Sequence, residues 1–231
     1  MKRIVLLLAV LLVAAACGDG APPAPDGPFD LDALIDEAAV AMGGLQSARF
    51  TMERSGAPVE VAGLEFDSAE GQYAAPASAR AILRVQAAGL AVEVGTIAIE
   101  DRVWLTNPLT GGWEEIPAGS GFNIALIFDP RVGWVPLLTE DLSNVVYQGV
   151  GDAGDGDRHV IHGSIAASRV EFLTAGLVEA QSVDADIWIH PATGHITRVE
   201  FETTLEGAVS RWVIELSEFD RPVAIEAPDG D

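Results

Sequence analysis

The residues in this chain that could do chemistry are few, and each group is poorly spaced for it. Four histidines are present, with His159 and His162 the nearest pair. Both fall in a run that alternates like a strand, where residues three apart point to opposite faces and cannot converge on one ion. His190 and His195 flank a turn and could approach each other, but the sequence offers no obvious third ligand. The expectation is surface histidine, with no bound metal and no cofactor. The acidic stretch "GDAGDGD", Gly151 to Asp157, invites a calcium reading. An EF-hand places a bidentate glutamate at its twelfth position, and counting from Asp152 that position is Gly163, so a hairpin turn is the better account. Ser120 stands between Gly119 and Gly121, yet it lacks the outer glycines of a nucleophile elbow and precedes no clear strand-to-helix turn. The sequence shows no phosphate loop, no dinucleotide fingerprint and no carboxylate pair whose separation could be argued. Nothing in it reads as an enzyme.

One reactive group is left, Cys17, the single cysteine. It has no partner for an internal disulfide, and its setting suggests another use. It follows Lys2-Arg3, an apolar run from Ile4 to Val13, and Ala14-Ala15-Ala16. That is the layout of an export signal, too short for the roughly 20 residues that span a bilayer. The tract resembles a bacterial lipobox, in which the chain is cut before the cysteine and the thiol then carries diacylglycerol. Ala14 stands where Leu is usual, and a plain secretory signal is the other reading. A lipidated Cys17 would hold the protein on the extracytoplasmic face of the cell membrane, since anchoring by two or more acyl chains is stable.

Charge narrows the choice of partners. The formal net charge is -22 at pH 7, and loss of the signal, with Lys2 and Arg3, would make it two units more negative. Such a chain has no general field with which to attract nucleic acid or anionic headgroups. Partners would have to be held by shape and apolar contact, and 49% hydrophobic residues supply enough for a sizeable core.

These features divide the chain into a signal at residues 1–17, a Gly/Pro/Asp tether at 18–28 and one domain at 29–231. Extended at about 3.1 Å per residue, the tether reaches roughly 30 Å. Asp30 suits the N-cap of a helix over Leu31 to Met42, with Leu31, Leu34, Ile35, Ala38 and Met42 on one face and Gly43-Gly44 as its stop. From Ser47 the period drops to two. "ARFTMER", "PVEVAGLEF", "RAILRVQA", "LAVEVGTIAIE" and "RVWLTN" read as an antiparallel meander. Ala81, Leu83 and Val85 share a dry face, as do Leu90, Val92 and Val94. Ile97 and Ile99 change parity after Gly95, which predicts a bulge there. Later strands are predicted at "NVVYQGV", "RHVIHG", "DADIWIHP", "HITRVEFETTL" and "SRWVIELSEF", with a helix near Ala166 to Ala175. Pro191 to Gly194 makes a hairpin turn. Between the two sets lies "FNIALIFDPRVGWVPLL", Phe122 to Leu138, apolar but broken by Asp129-Pro130, Gly133 and Pro136, so it cannot be one straight helix. It is either the cap of an ordinary core or a roof over unfilled space.

The segments "FDPRVGWVPLLTEDLSNVVYQG", "HGSIAASRVEFL", "DADIWIHPATGHITRVEFE" and "FDRPVAIEAPD" resemble the LppX/LprG (LppX/LprAFG) lipoproteins of mycobacteria and related actinobacteria, from about Leu31 to Pro228. The resemblance implies an α+β fold: a half-open antiparallel barrel like LolA and LolB, with helices closing the concave face over a large apolar cavity. It also implies a partner class, acylated lipids or glycolipids moved from the membrane toward the cell envelope, with a membrane transporter as a further partner. Its cavity wall would include Leu83, Val85, Val92, Val94, Ile97 and Val103. Its mouth and lid would include Phe122, Ile127, Phe128, Asp129, Pro130, Gly133, Trp134, Leu137 and Leu138, with Gly133 and Gly121 as candidate hinges. The physical requirement on such a carrier is severe, because a 16-carbon chain entering water loses on the order of 12 kcal/mol, at about 0.8 per methylene. Two rival readings use the same residues: a chaperone-like or regulatory module for lipoproteins or acylated peptides, and a structural lipoprotein with a filled core.

Overall fold

The computed structural model describes residues 29–61, 64–117, 123–174, 176–178 and 181–228. The signal, Cys17 and the tether, together with Ser120, Gly121 and Phe122, lie outside the described residues.

Helix α1 (Leu31–Gly43) buries the face its spacing predicts. Leu34, Ala38, Ala39 and Met42 are buried, Leu31 and Ile35 half-buried, and Val40 points to solvent. The helix ends as predicted at the glycine pair, where the Gly44 N–H donates back to the Val40 carbonyl at 3.1 Å.

Strands follow wherever the period is two. They are β1 (Ser47–Gly56), β2 (Glu60–Val61), β3 (Leu64–Ala74), β4 (Ser78–Ala87), β5 (Leu90–Ile99), β6 (Arg102–Thr106) and β7 (Trp113–Ile116), and then β8 (Leu142–Asp152), β9 (Asp157–Ile165), β10 (Val183–Ile189), β11 (Ile196–Leu205) and β12 (Ala208–Ser217). All pairings are antiparallel. The order across the sheet is β7-β6-β5-β4-β3-β1-β12-β11-β10-β9-β8, with the short β2 alongside β3. Strand β1 thus sits in the middle. The chain runs outward to one edge at β7, crosses to the opposite edge at β8, and returns to close on β1 through β12.

The connection from β7 to β8 joins two opposite edges, and its described part, residues 123–141, packs against β4, β5 and α1. Inner-face side chains from both halves, among them Leu83, Ile161, Ile187 and Ile214, belong to one continuous buried cluster. A flat sheet this wide could not bring them together, so the sheet is curled, and it stays open between β7 and β8.

The acidic stretch forms the β8–β9 hairpin, with an exposed turn at residues 153–156. The turn between β10 and β11 has Gly194 at φ 71°, a conformation that favours glycine.

In β4 the alternation is as read: Ala81, Leu83 and Val85 are buried while Arg80, Ile82 and Arg84 are exposed. Strand β5 requires a correction. Its register with β4 runs unbroken through Gly95, with Leu83 opposite Val94 and Arg80 opposite Ile97. There is no bulge, and Ile97 stands on the outer face rather than on the cavity wall. It pairs there with Trp104, over whose ring the Arg102 guanidinium lies at 4.5 Å. The inner positions are the small residues Thr96 and Ala98, facing Ala81 and Ala79. Unbroken alternation from Val92 and Val94 fixes this arrangement, and a turn of the crossover packs against β4 and β5.

Candidate functional site

Among the described residues the crossover is built from three short pieces. Asn123 opens a 3-10 turn, Ile124–Phe128: its side-chain oxygen accepts from the Ala125 N–H at 3.0 Å, and its amide donates to the Glu100 carbonyl at 2.7 Å. The turn ends at Asp129, whose carboxylate accepts from the Arg131 backbone N–H at 2.8 Å and from Arg131 Nε at 3.0 Å. The Arg131 guanidinium holds that carboxyl below its usual range, outweighing partial burial, which pushes the other way. Pro130 and Arg131 are exposed on the bend.

Gly133 is next, and it is fixed by proximity. A Cβ there would lie 2.0 Å from the Ile127 carbonyl oxygen, and its own N–H donates to the Asp129 carbonyl at 2.7 Å. It leads into α2 (Trp134–Pro136) and then a π-turn, Leu137–Asp141. Pro136 falls in the first turn, where a missing backbone donor is tolerated, and the chain continues past it directly into the π-turn. Arg169, on α3 (Ala167–Leu173), braces the whole segment. Its guanidinium meets the Asp141 carboxylate at 2.6 Å and also donates to the Val132 carbonyl.

Between this roof and the sheet lies an apolar crevice. Phe50, Met52, Phe66, Ala69, Leu83, Ile214 and Leu216 line it from the sheet, and Ile124, Ile127, Phe128 and Trp134 from the roof. Leu173, Thr174 and Leu177 close its end. The Thr174 hydroxyl is fully engaged, donating to the Val170 carbonyl at 2.8 Å and accepting from the Val178 N–H at 3.1 Å. Trp134 differs: its indole nitrogen is buried with no hydrogen-bond partner. A buried donor left in that condition costs about 1–3 kcal/mol.

The crevice encloses about 30 Å³, roughly one water's share of liquid volume. Sites that enclose a small ligand run to roughly 300–1,000 Å³. The large cavity implied by the resemblance is therefore not open in this conformation. Aromatic packing is the reason: Phe128 stacks on Tyr73 with centroids 4.5 Å apart and meets Phe50 at 5.7 Å.

Of the wall residues expected from sequence, Leu83 lines the crevice. Val85 and Val103 are buried in the surrounding core, with Val92 and Val94 packed against it. Of the lid residues, Ile127, Phe128 and Trp134 line the crevice, whereas Leu137 and Leu138 are buried in the core behind it. The contributions of β1, β3 and β12 were missed. Phe50 and Met52 in "ARFTMER", and Ile214 and Leu216 in "WVIELSEF", alternate in a way that would have revealed them.

The histidines are engaged elsewhere. His159 Nδ1 lies 2.9 Å from the Tyr147 hydroxyl, and His162 Nδ1 lies 2.8 Å from the Asp186 carboxylate. Among the described residues no three of His, Cys, Asp or Glu converge on a common point, and no helix is long and apolar enough to cross a membrane.

Residues 30–225 match the LppX_LprAFG lipoprotein family. The chain belongs to that family. Comparison with curated protein sequences finds no match. Among solved structures, LprF from Mycobacterium bovis superposes with a TM-score of 0.66 at 16% identity, covering 86% of this chain and 96% of that one. The Mycobacterium tuberculosis lipoprotein LppX superposes with a TM-score of 0.59 at 20% identity, covering 85% of this chain and all of that one. At these identities the two likenesses establish the fold, and they agree with the curled open sheet derived from the strand pairing.

Proposed function

We propose that this LppX_LprAFG protein is a lipid-anchored extracytoplasmic carrier that holds the acyl chains of a lipid or glycolipid between its roof and its sheet, with no catalytic step. The observation that carries the reading is the lining of the crevice. Four separate chain segments meet along an apolar seam, and one of them is a chain of short turns rather than a continuous helix. Such a seam can part by moving the turns while the sheet stays fixed. An acyl chain entering it exchanges one oily surface for another, so the cost of about 0.8 kcal/mol per methylene in water is avoided.

One observation favours a rival. A space of about 30 Å³ is also what a structural lipoprotein with a filled core would show. The two readings separate on lipid content. The full chain is purified, extracted with organic solvent before and after incubation with vesicles of acylated lipid, and analysed by mass spectrometry. The carrier retains lipid in near-stoichiometric amount; retention of none under either condition sinks it in favour of the filled core.

A further inference from the structure

The buried indoles of Trp134 and Trp212 make a controlled comparison within one molecule. Both are among the most deeply buried side chains, at 1% and 0% exposure. Buried tryptophans normally find an acceptor for their N–H. Trp212 does, donating to Thr203 Oγ1 at 2.9 Å. Trp134, which lines the crevice, does not.

Among the described residues one other buried side-chain atom lacks a partner, Thr96 Oγ1, and Thr96 is not part of the crevice lining. Trp134 thus brings a neutral donor without an acceptor to a lining that is apolar apart from Thr174.

We infer that the Trp134 indole N–H is a ligand-binding group that donates a hydrogen bond to the carbonyl oxygen of a long-chain acyl ester held in the crevice. The inference rests on the carrier reading and adds the chemistry of the bond that orients the cargo. A neutral carbonyl fits better than a charged headgroup because none of the described residues that line the crevice is cationic. The Arg131 side chain is 84% exposed and paired with Asp129, and Arg169 is committed to Asp141 and the roof carbonyls. The Thr174 hydroxyl, the other polar group in the lining, is already engaged. The hydrocarbon would lie against residues such as Phe66 and Leu83, with the ester at the indole.

The test is a competition. The full chain is incubated with vesicles carrying equal amounts of an ester-linked diacyl lipid and its ether-linked analogue, which lacks the carbonyl. After repurification, bound lipid is quantified by mass spectrometry. One net hydrogen bond predicts enrichment of the ester by roughly two- to tenfold, falling to about one in Trp134→Phe, which keeps the ring but removes the donor. Ester preference that persists in Trp134→Phe overturns the assignment and leaves the carrier reading standing, whereas loss of all lipid binding by the unsubstituted protein overturns both. If the variant fails to fold, the indole N–H proton resonance of the unsubstituted protein decides. A downfield shift with the ester and none with the ether supports the bond, and identical spectra with both lipids reject it.

Discussion

Gly133 sets the path of the roof through a contact that no other residue could make. With 2.0 Å between its would-be Cβ and the Ile127 carbonyl oxygen, a methyl group forces backbone to move, and overpacking of this kind costs about 1–3 kcal/mol. Gly133→Ala is expected to lower the melting temperature by about 2–10 °C, measured on the lipid-free protein by differential scanning calorimetry. An unchanged melting temperature would mean that the turn relaxes freely and that this contact does not fix it. Sequence reading marked Gly133 as a point of motion because it interrupts an apolar run. A glycine that swivels and one that admits a close neighbour are identical in sequence, so the close approach was not legible there. Trp134 poses the same difficulty: its burial could be expected from composition, whereas its missing acceptor depends on everything around it.

At the level of elements, the latch between α3 and the roof is where opening would be controlled. The Arg169 and Asp141 side chains are 13% and 23% exposed, so the pair is screened less than a surface ion pair and removing one partner leaves the other poorly solvated. Arg169→Ala is expected to raise hydrogen–deuterium exchange across residues 132–141 while β10, β11 and β12 keep their protection. Lipid exchange between vesicles and protein should quicken in the same variant. Uniform loss of protection would show instead that Arg169 supports the global fold. The elements themselves were largely legible, because a period of two in "RAILRVQA" and a 3.6-residue spacing in "LDALIDEAAVAM" each admit one solution. The exception at Ile97 is instructive. Side-chain size assigns Ile97 and Ile99 to the interior and so demands a bulge at Gly95, but unbroken alternation from Val92 and Val94 places the small Thr96 and Ala98 inside, opposite Ala81 and Ala79. Strand geometry outweighed side-chain size, and the outer face gained its own apolar pair, Ile97 and Trp104.

For the molecule as a whole, the proposed carrier would use charge and shape at different steps. The interior would decide whether an acyl chain is held, and the net charge of -22 how readily the protein approaches the membrane that supplies it. That figure already counts the arginines, and several outward ones are matched locally by carboxylates. Arg84 bridges Glu70 and Glu93, Arg49 also pairs with Glu70, and Arg198 pairs with Glu215. Uptake of lipid from vesicles with a zwitterionic surface is therefore expected to be faster than from vesicles rich in anionic lipid. The difference should be largest at low ionic strength, where the screening length is about 30 Å at 0.01 M, and nearly gone at 1 M, where it is about 3 Å. Stopped-flow transfer of a fluorescent acyl lipid at several salt concentrations measures this directly. Equal rates at low salt would mean that approach occurs through a patch whose local field is neutral, and the global repulsion argued from net charge would then play no part in loading.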